Sequence, residues 1–218
     1  MTALRPLARR TALALPILAA ALALPFAATA QSADEVEVGQ PYVAFSSGDW
    51  EVRCIKGPED AAAERCEMFQ LLIDEENNPV AVFRLNMPIE GAEGQVASAV
   101  FNTPLQTRLD PGLQLQIDDG EFERLPFTFC APGGCAAEAP LAEPVVQQFR
   151  DGGLLTLVIF ALVLNERGDP VRGPSGEPRA VPVELTASLS GFTAAYQELE
   201  ARHTALRLAV IAAQAAQQ

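Results

Sequence analysis

The chain has 218 residues, 49% of them hydrophobic, and its 28 acidic and 15 basic residues give a formal net charge of -13. This length fits one ordinary domain with short appendages. The charge argues against nucleic acid and anionic lipid as partners, because both are bound by clustered Lys and Arg. With four cysteines, one Trp and one His, the composition favours neither a cofactor nor a metal cluster.

Residues 1–30 have the composition of a signal peptide. Three arginines precede an apolar run at 11–28, and Ala28-Thr29-Ala30 supplies the small side chains that a signal peptidase needs. Pro16 and Pro25 interrupt the run, which argues against a membrane anchor. Cleavage after Ala30 would leave 12 basic and 28 acidic residues, a charge of 12 − 28 = −16. We therefore expect an acidic protein in the periplasm or at the outer surface, with no transmembrane segment after cleavage.

Four cysteines in an exported chain are disulfide candidates, because no reducing pool maintains thiols there. Three pairings are possible, and proximity in sequence favours Cys54 with Cys66 and Cys130 with Cys135. The alternative is a periplasmic thiol-disulfide or folding factor that uses Cys130 and Cys135. Such enzymes usually have two residues between their cysteines and a cation or helix start that stabilises the thiolate. Four residues intervene here, no Lys or His is adjacent, and we expect structural bridges.

Along the chain, residues 31–47 are acidic and polar and suggest a flexible leader. A domain at 48–199 follows, in which apolar and polar residues alternate as in half-buried strands. The predicted strands are 50–54, 66–73, 80–87, 96–101, 113–117, 122–130, 154–164 and 180–187. Pro126 suggests a bulge or edge in the sixth strand, and Pro182 places the eighth near an edge.

Two helices are predicted among these strands. The spacing of Leu141, Val145 and Phe149 indicates a short helix that ends at Gly152-Gly153. A second helix follows a possible Ser190 cap and continues into an Ala- and Gln-rich tail at 200–218. One of its faces carries an apolar stripe: Phe192, Tyr196, Leu199, His203, Leu206 and Val210. The stripe either packs on the sheet or continues as a helix contact between protomers, so that a homo-oligomer is possible.

The expected fold is mainly β, an antiparallel β-sandwich of about eight strands with one short helix and a C-terminal helix. No catalytic motif stands out: the chain has no Gly-x-Ser-x-Gly elbow and no phosphate-binding Gly-rich loop before a helix. The acidic segment 74–77 could bind calcium loosely, but it lacks the spacing of an EF-hand loop and is more typical of a solvated turn. We predict no catalytic, cofactor-binding or metal-binding residues, and a protein that is not an enzyme.

The order of several short motifs resembles the invasion-associated locus B family. The motifs are Gly48-Asp49-Trp50-Glu51-Val52-Arg53-Cys54, then Cys66, the segment 110–118, Phe129-Cys130, Gly134-Cys135 and Leu189-Ser190-Gly191-Phe192. The likeness extends over about residues 48–199, and the Ala-rich tail departs from it. It implies an exported bacterial protein of β-rich fold, without an established biochemical activity, in a family linked in pathogenic members to host-cell invasion. The resemblance also implies that the four cysteines are the family's own. We expect the partner to be an unidentified protein or an envelope component.

Overall fold

The computed structural model describes residues 36–217, so the predicted signal peptide lies outside the described residues. Eleven strands and two helices follow in the order β1 (Pro41–Ser47), β2 (Trp50–Ile55), β3 (Cys66–Ile73), β4 (Pro79–Asn86), β5 (Gln95–Thr103), β6 (Leu113–Ile117), β7 (Glu123–Leu125), β8 (Phe127–Ala131), β9 (Gly134–Ala142), α1 (Glu143–Asp151), β10 (Leu154–Leu162), β11 (Ala180–Ser188) and α2 (Phe192–Ala215). The predicted mainly β, antiparallel fold with a short helix and a C-terminal helix is confirmed.

The strands form one antiparallel, nearly closed and sandwich-like sheet. Its main path runs β7-β6-β10-β11-β3-β4-β5-β9-β8. The sheet divides at β3, whose first half pairs with β2 and whose last residue, Ile73, pairs with Thr186 of β11. The β2–β3–β4 meander predicted from the sequence is therefore present, and β1 extends it at the edge of β2. Pro182 lies in the half of β11 that pairs only with β10, an edge position.

The inner face of the sheet buries an aromatic cluster against both helices. The cluster consists of Trp50, Phe83, Phe101, Phe149, Phe192 and Tyr196. The ring of Trp50 packs edge-on against Phe83 at 5.2 Å and against Phe192 at 5.3 Å. The Trp50 indole N–H donates to the carbonyl of Ser188 at 2.9 Å, so the buried polar atom is satisfied. The cluster fixes α1 and the start of α2 to the sheet.

The structure corrects the expectation of a flexible leader over 31–47 for residues 41–47, and residues 31–35 lie outside the described residues. Residues 41–47 form β1, which pairs with β2 from Pro41↔Ile55 to Ser47↔Trp50. Tyr42 and Phe45 pack against the core. The strand was missed because it lies at an edge and its alternation of apolar and polar residues is weak. The sequence also missed β9, and it predicted one strand where Pro126 separates β7 from β8.

The second helix begins later than expected. Its N-terminal cap is Gly191, in the left-handed region at φ 85°, and no side chain caps it, so the expectation that Ser190 caps the helix is wrong. Phe192, Tyr196 and Leu199 are buried, and the later residues of the predicted stripe are partly buried. The first half of the stripe, up to Leu199, therefore packs on the protomer's own sheet. Between residues 36 and 217, neither helix combines the length and apolar character needed to cross a membrane.

Candidate functional site

The four cysteines stand in two bonded pairs, and each pair joins directly opposite residues of neighbouring strands. Cys54 of β2 is bonded to Cys66 of β3, and Cys130 of β8 to Cys135 of β9. These are the pairs that proximity in sequence favours. Cys54 and Cys135 are buried, whereas Cys130 is exposed at the β8–β9 hairpin. The bonds therefore hold together the ends of two hairpins.

A carboxylate that the sequence did not single out organises the loop closed by the first disulfide. Glu64 accepts hydrogen bonds from the Tyr42 hydroxyl and, at 2.9 Å, from the Gly57 N–H, and its Oε1 lies 3.9 Å from Lys56 Nζ. Burial favours the protonated acid, but these hydrogen bonds and the nearby cation outweigh it and lower the pKa of Glu64. The carboxylate thus ties the loop to β1.

The outer face of β2–β5 and β8 carries a row of polar and aromatic side chains that we call the outer strip. Its members are Arg53, Phe69, Arg84, Asn102 and Phe129. The register places them on one face: Arg84 is opposite Phe69, and Asn102 and Phe129 both lie opposite Ala136. Because strand side chains alternate between faces, the neighbouring residues Val52, Met68 and Phe83 point into the core. The strip therefore lies on the solvent side of a rigid, buried platform.

Contacts along the outer strip orient its two guanidinium groups. The Arg53 guanidinium lies 3.3 Å from the centre of the Phe69 ring, a cation–π arrangement. The Arg84 Nη2 donates to Asn102 Oδ1 at 2.7 Å. Each arginine also has a carboxylate nearby, with Glu51 2.7 Å from Arg53 and Glu67 3.7 Å from Arg84. The guanidinium groups are thus positioned and largely charge-balanced.

An exposed ring lies beside the two oriented guanidinium groups of the outer strip. The Phe129 side chain is 53% exposed. The Nε atom of Arg84 is buried and makes no hydrogen bond within residues 36–217, so it is not itself open to a partner. Guanidinium groups beside an exposed ring suit a partner that presents hydrogen-bond acceptors beside apolar surface.

A cavity of about 1070 Å³ adjoins the outer strip and reaches the hairpin end of β8–β9. Cys66 lines it at one side, and Phe129 and Gly134, which flank the second disulfide in sequence, line it at another. Gly134 is required where it stands: its φ is 132°, and a Cβ atom would lie 2.4 Å from the Thr103 carbonyl oxygen. Both disulfides therefore fix elements that border the cavity.

Two other features of the sequence, His203 and the acidic segment 74–77, are also located by the structure. His203 is partly buried and lines the same cavity, and burial together with the Arg207 charge lowers its pKa. In the segment 74–77, the Asp74 carboxylate accepts N–H groups of Glu76 and Asn78, which describes a turn. Within residues 36–217, no group of three or more His, Cys, Asp or Glu side chains is placed to hold a metal ion.

Most of the described domain is similar to known proteins. A protein-family model described as "Invasion associated locus B (IalB) protein" matches residues 50–200, which include all four cysteines. The fold is similar to the crystal structure of invasion associated protein B from Bartonella henselae, with 21% identity and a TM-score of 0.50. That match covers 72% of this chain and 95% of the other. No curated protein matches the chain.

Proposed function

Because this chain belongs to the invasion associated locus B family, we propose that it is an exported, non-enzymatic envelope or surface protein that binds a partner through the outer strip. Export rests on the predicted signal peptide and agrees with two disulfides, which persist in oxidising compartments. The link of pathogenic relatives to host-cell invasion makes an envelope component or a host-facing protein the partner class.

The observation that carries the proposal is the combination of arginine and exposed aromatic side chains in the outer strip. Arg and aromatic residues are enriched where proteins bind one another, and a few such residues usually provide most of the binding energy. Here Arg53 is stacked on Phe69 and Arg84 is held by Asn102, so little side-chain freedom is lost on binding. Phe129 adds an exposed anchor beside them.

Site-specific photo-crosslinking in the native envelope tests this assignment. A photoreactive phenylalanine analogue at position 129 is compared with one at Val181, which is 47% exposed on β11 and lies outside the strip. We expect one discrete adduct from position 129, lost when the same chain also carries R84Q and F69A, and none from position 181. Equal adducts from both positions, or no adduct from position 129, would contradict binding at the strip.

Self-association through the end of α2 is part of the proposal. Leu208 and Ile211 are 63% and 56% exposed, and no charged residue follows Arg207. The end of α2 therefore has apolar side chains on its exposed side as well as on the side that faces the domain. A helix that is apolar on all sides is normally buried. A second copy fits this surface, since a charge of 12 − 28 = −16 after the predicted cleavage disfavours self-contact through the charged parts of the surface.

The competing function is a thiol-disulfide or folding factor that uses Cys130 and Cys135. The exposure of Cys130 favours it, because an attacking thiolate could reach that sulfur. Against it, Cys135 is 2% exposed and the two cysteines are strand residues rather than residues at a helix start. The reduction potential of this bond separates the two functions.

A further inference from the structure

The chain segment 123–131 crosses between the two ends of the sheet. Its first part, β7, pairs with β6, and its second part, β8, pairs with β9. N-terminal to Pro126, β7 belongs to the β6–β7 pair. This pair faces the second half of β9 but is not hydrogen-bonded to it. An opening remains between them, which we call the seam cleft.

The seam cleft is apolar inside and has a volume of about 480 Å³, within the range of about 300–1,000 Å³ that is typical of small-molecule sites. Its base consists of the buried side chains Phe101, Phe149 and Leu155. Leu115 and Leu125 line one wall, and residues of β9 and α1 line the other. The cleft therefore opens directly onto the hydrophobic core.

Carboxylates stand at the entrance. Glu123 lies opposite Leu115 in the β6–β7 ladder, and Leu125 lies opposite the buried Leu113, so Glu123 is on the face of β7 that turns toward the core. Glu121 also lines the cleft. Neither glutamate makes an ion pair within residues 36–217.

The one basic residue that lines the cleft is already engaged. Arg124 donates to the carbonyl oxygens of Asp110 and Pro111 at 2.7 and 2.6 Å, and its side chain lies against the turn at Gly112. Asp118 is engaged as well, since its carboxylate accepts the N–H groups of Gly153 and Leu154. The charges at the entrance that lack a partner are thus negative.

An additional β-strand does not suit the opening. The β7 edge has only three residues, and Pro140 interrupts the donors of the β9 half that faces the opening. Short edges, prolines and inward-facing charges all disfavour strand addition. The occupant must instead place apolar groups on the base and a positive charge at the entrance.

We propose that the seam cleft binds a small amphiphilic cation, an apolar chain with an ammonium group, whose charge lies at Glu121 and Glu123. This site is separate from the outer strip, and the inference does not depend on the proposed function. The apolar chain contacts Phe101, Phe149 and Leu155. The ammonium group supplies the positive counter-charge that Glu121 and Glu123 lack at the entrance.

Isothermal titration with octyltrimethylammonium below its micellar concentration tests the proposal, with octyl sulfate as the anionic probe of equal chain length. We expect the cation to bind at least about ten-fold more tightly than the anion. The E121Q/E123Q variant should weaken the cation by about three- to ten-fold, since an exposed ion pair contributes only modestly. The matched control E184Q, at an exposed position of β11 outside the cleft, should leave both affinities unchanged.

A second variant separates the cleft from non-specific attraction to an acidic surface. Ala139 lines the cleft and is partly exposed, so A139F fills the space without removing a charge. We expect A139F to reduce cation binding at least about ten-fold, with an unchanged far-ultraviolet spectrum. Equal or tighter binding of octyl sulfate, cation binding that neither A139F nor E121Q/E123Q alters, or no binding to the wild type would overturn the proposal.

Discussion

Two glycines allow the β1–β2 turn to lie directly against the start of α2. A Cβ atom at Gly191 would lie 2.1 Å from the Ser47 carbonyl oxygen, and one at Gly48 would lie 2.3 Å from that of Ser190. This backbone contact brings Trp50 and Phe192, which each follow one of the glycines, to a ring separation of 5.3 Å. The paired motifs Gly48-Asp49-Trp50 and Ser190-Gly191-Phe192 thus have a physical reason to occur together.

The substitution G191A tests this contact against a matched control. Gly176 also has a positive φ, of 83°, but no atom lies within 4 Å of its Cβ position. G176A should therefore cost only the backbone penalty, about 1–2 kcal/mol. We expect G191A to cost about 1–3 kcal/mol more in urea unfolding, because the turn and the helix must move apart. Equal losses would show that the close contact contributes nothing.

Glu64 predicts a pH dependence of stability. Its pKa in the folded protein is below the ordinary 4.5, so its contribution is fully present above pH 4.5 and is lost as the pH falls through the folded pKa. We expect E64Q to be less stable than wild type at pH 7 and the difference to shrink toward pH 3. E59Q, in the same loop but exposed, should match wild type at both pH values. A constant gap for E64Q would contradict this assignment.

At the scale of elements, alternation of side chains was sufficient to predict most strands. β2 to β5 and β11 bury alternate residues over much of their length, whereas β10 is a nearly continuous apolar run. β9 was missed because its run of Ala has low strand propensity, although Ala136 and Ala137 are buried by tertiary packing. The number of strands could therefore not be predicted fully, because β9 depends on contacts with distant segments and the local sequence pattern does not contain these contacts.

The outer strip shows a similar limit at the candidate site. The strand positions that alternate with the buried ones carry Arg53, Phe69 and Arg84, and charged residues at such positions are normally solvated. Only the register of β2, β3 and β4 brings Arg53 over the Phe69 ring and Arg84 opposite it. Phe69 in a polar phase was the available signal in the sequence, but one exposed ring alone is common.

The uncovered end of α2 gives a prediction at the same scale. L208E/I211E places two charges on the exposed face, and like charges facing each other should prevent a contact between copies. We expect sedimentation to show a dimer for the wild type and a monomer for this variant. V181E, at an exposed position of β11 outside this helix, should leave the mass unchanged. A monomeric wild type would rule out self-association through α2.

For the whole molecule, the structure combines a rigid scaffold with separate surfaces. Each disulfide joins directly opposite strand residues, and the strands that it joins border the cavity at the outer strip. Such bonds stabilise mainly by restricting the unfolded chain, and short loops still contribute a few kcal/mol. We propose that these cysteines are structural parts of a binding protein and take no part in thiol exchange.

The reduction potential of the Cys130–Cys135 bond tests that claim most directly. It is measured by equilibration with glutathione buffers and mass spectrometry of the alkylated thiols, with C54A/C66A as a variant that isolates the second bond. Structural disulfides of secreted proteins have potentials below about −300 mV, and catalytic ones lie between about −270 and −120 mV. We expect a value below about −300 mV. A value of about −270 mV or above, within the catalytic range, would contradict the structural role and favour a thiol-disulfide factor.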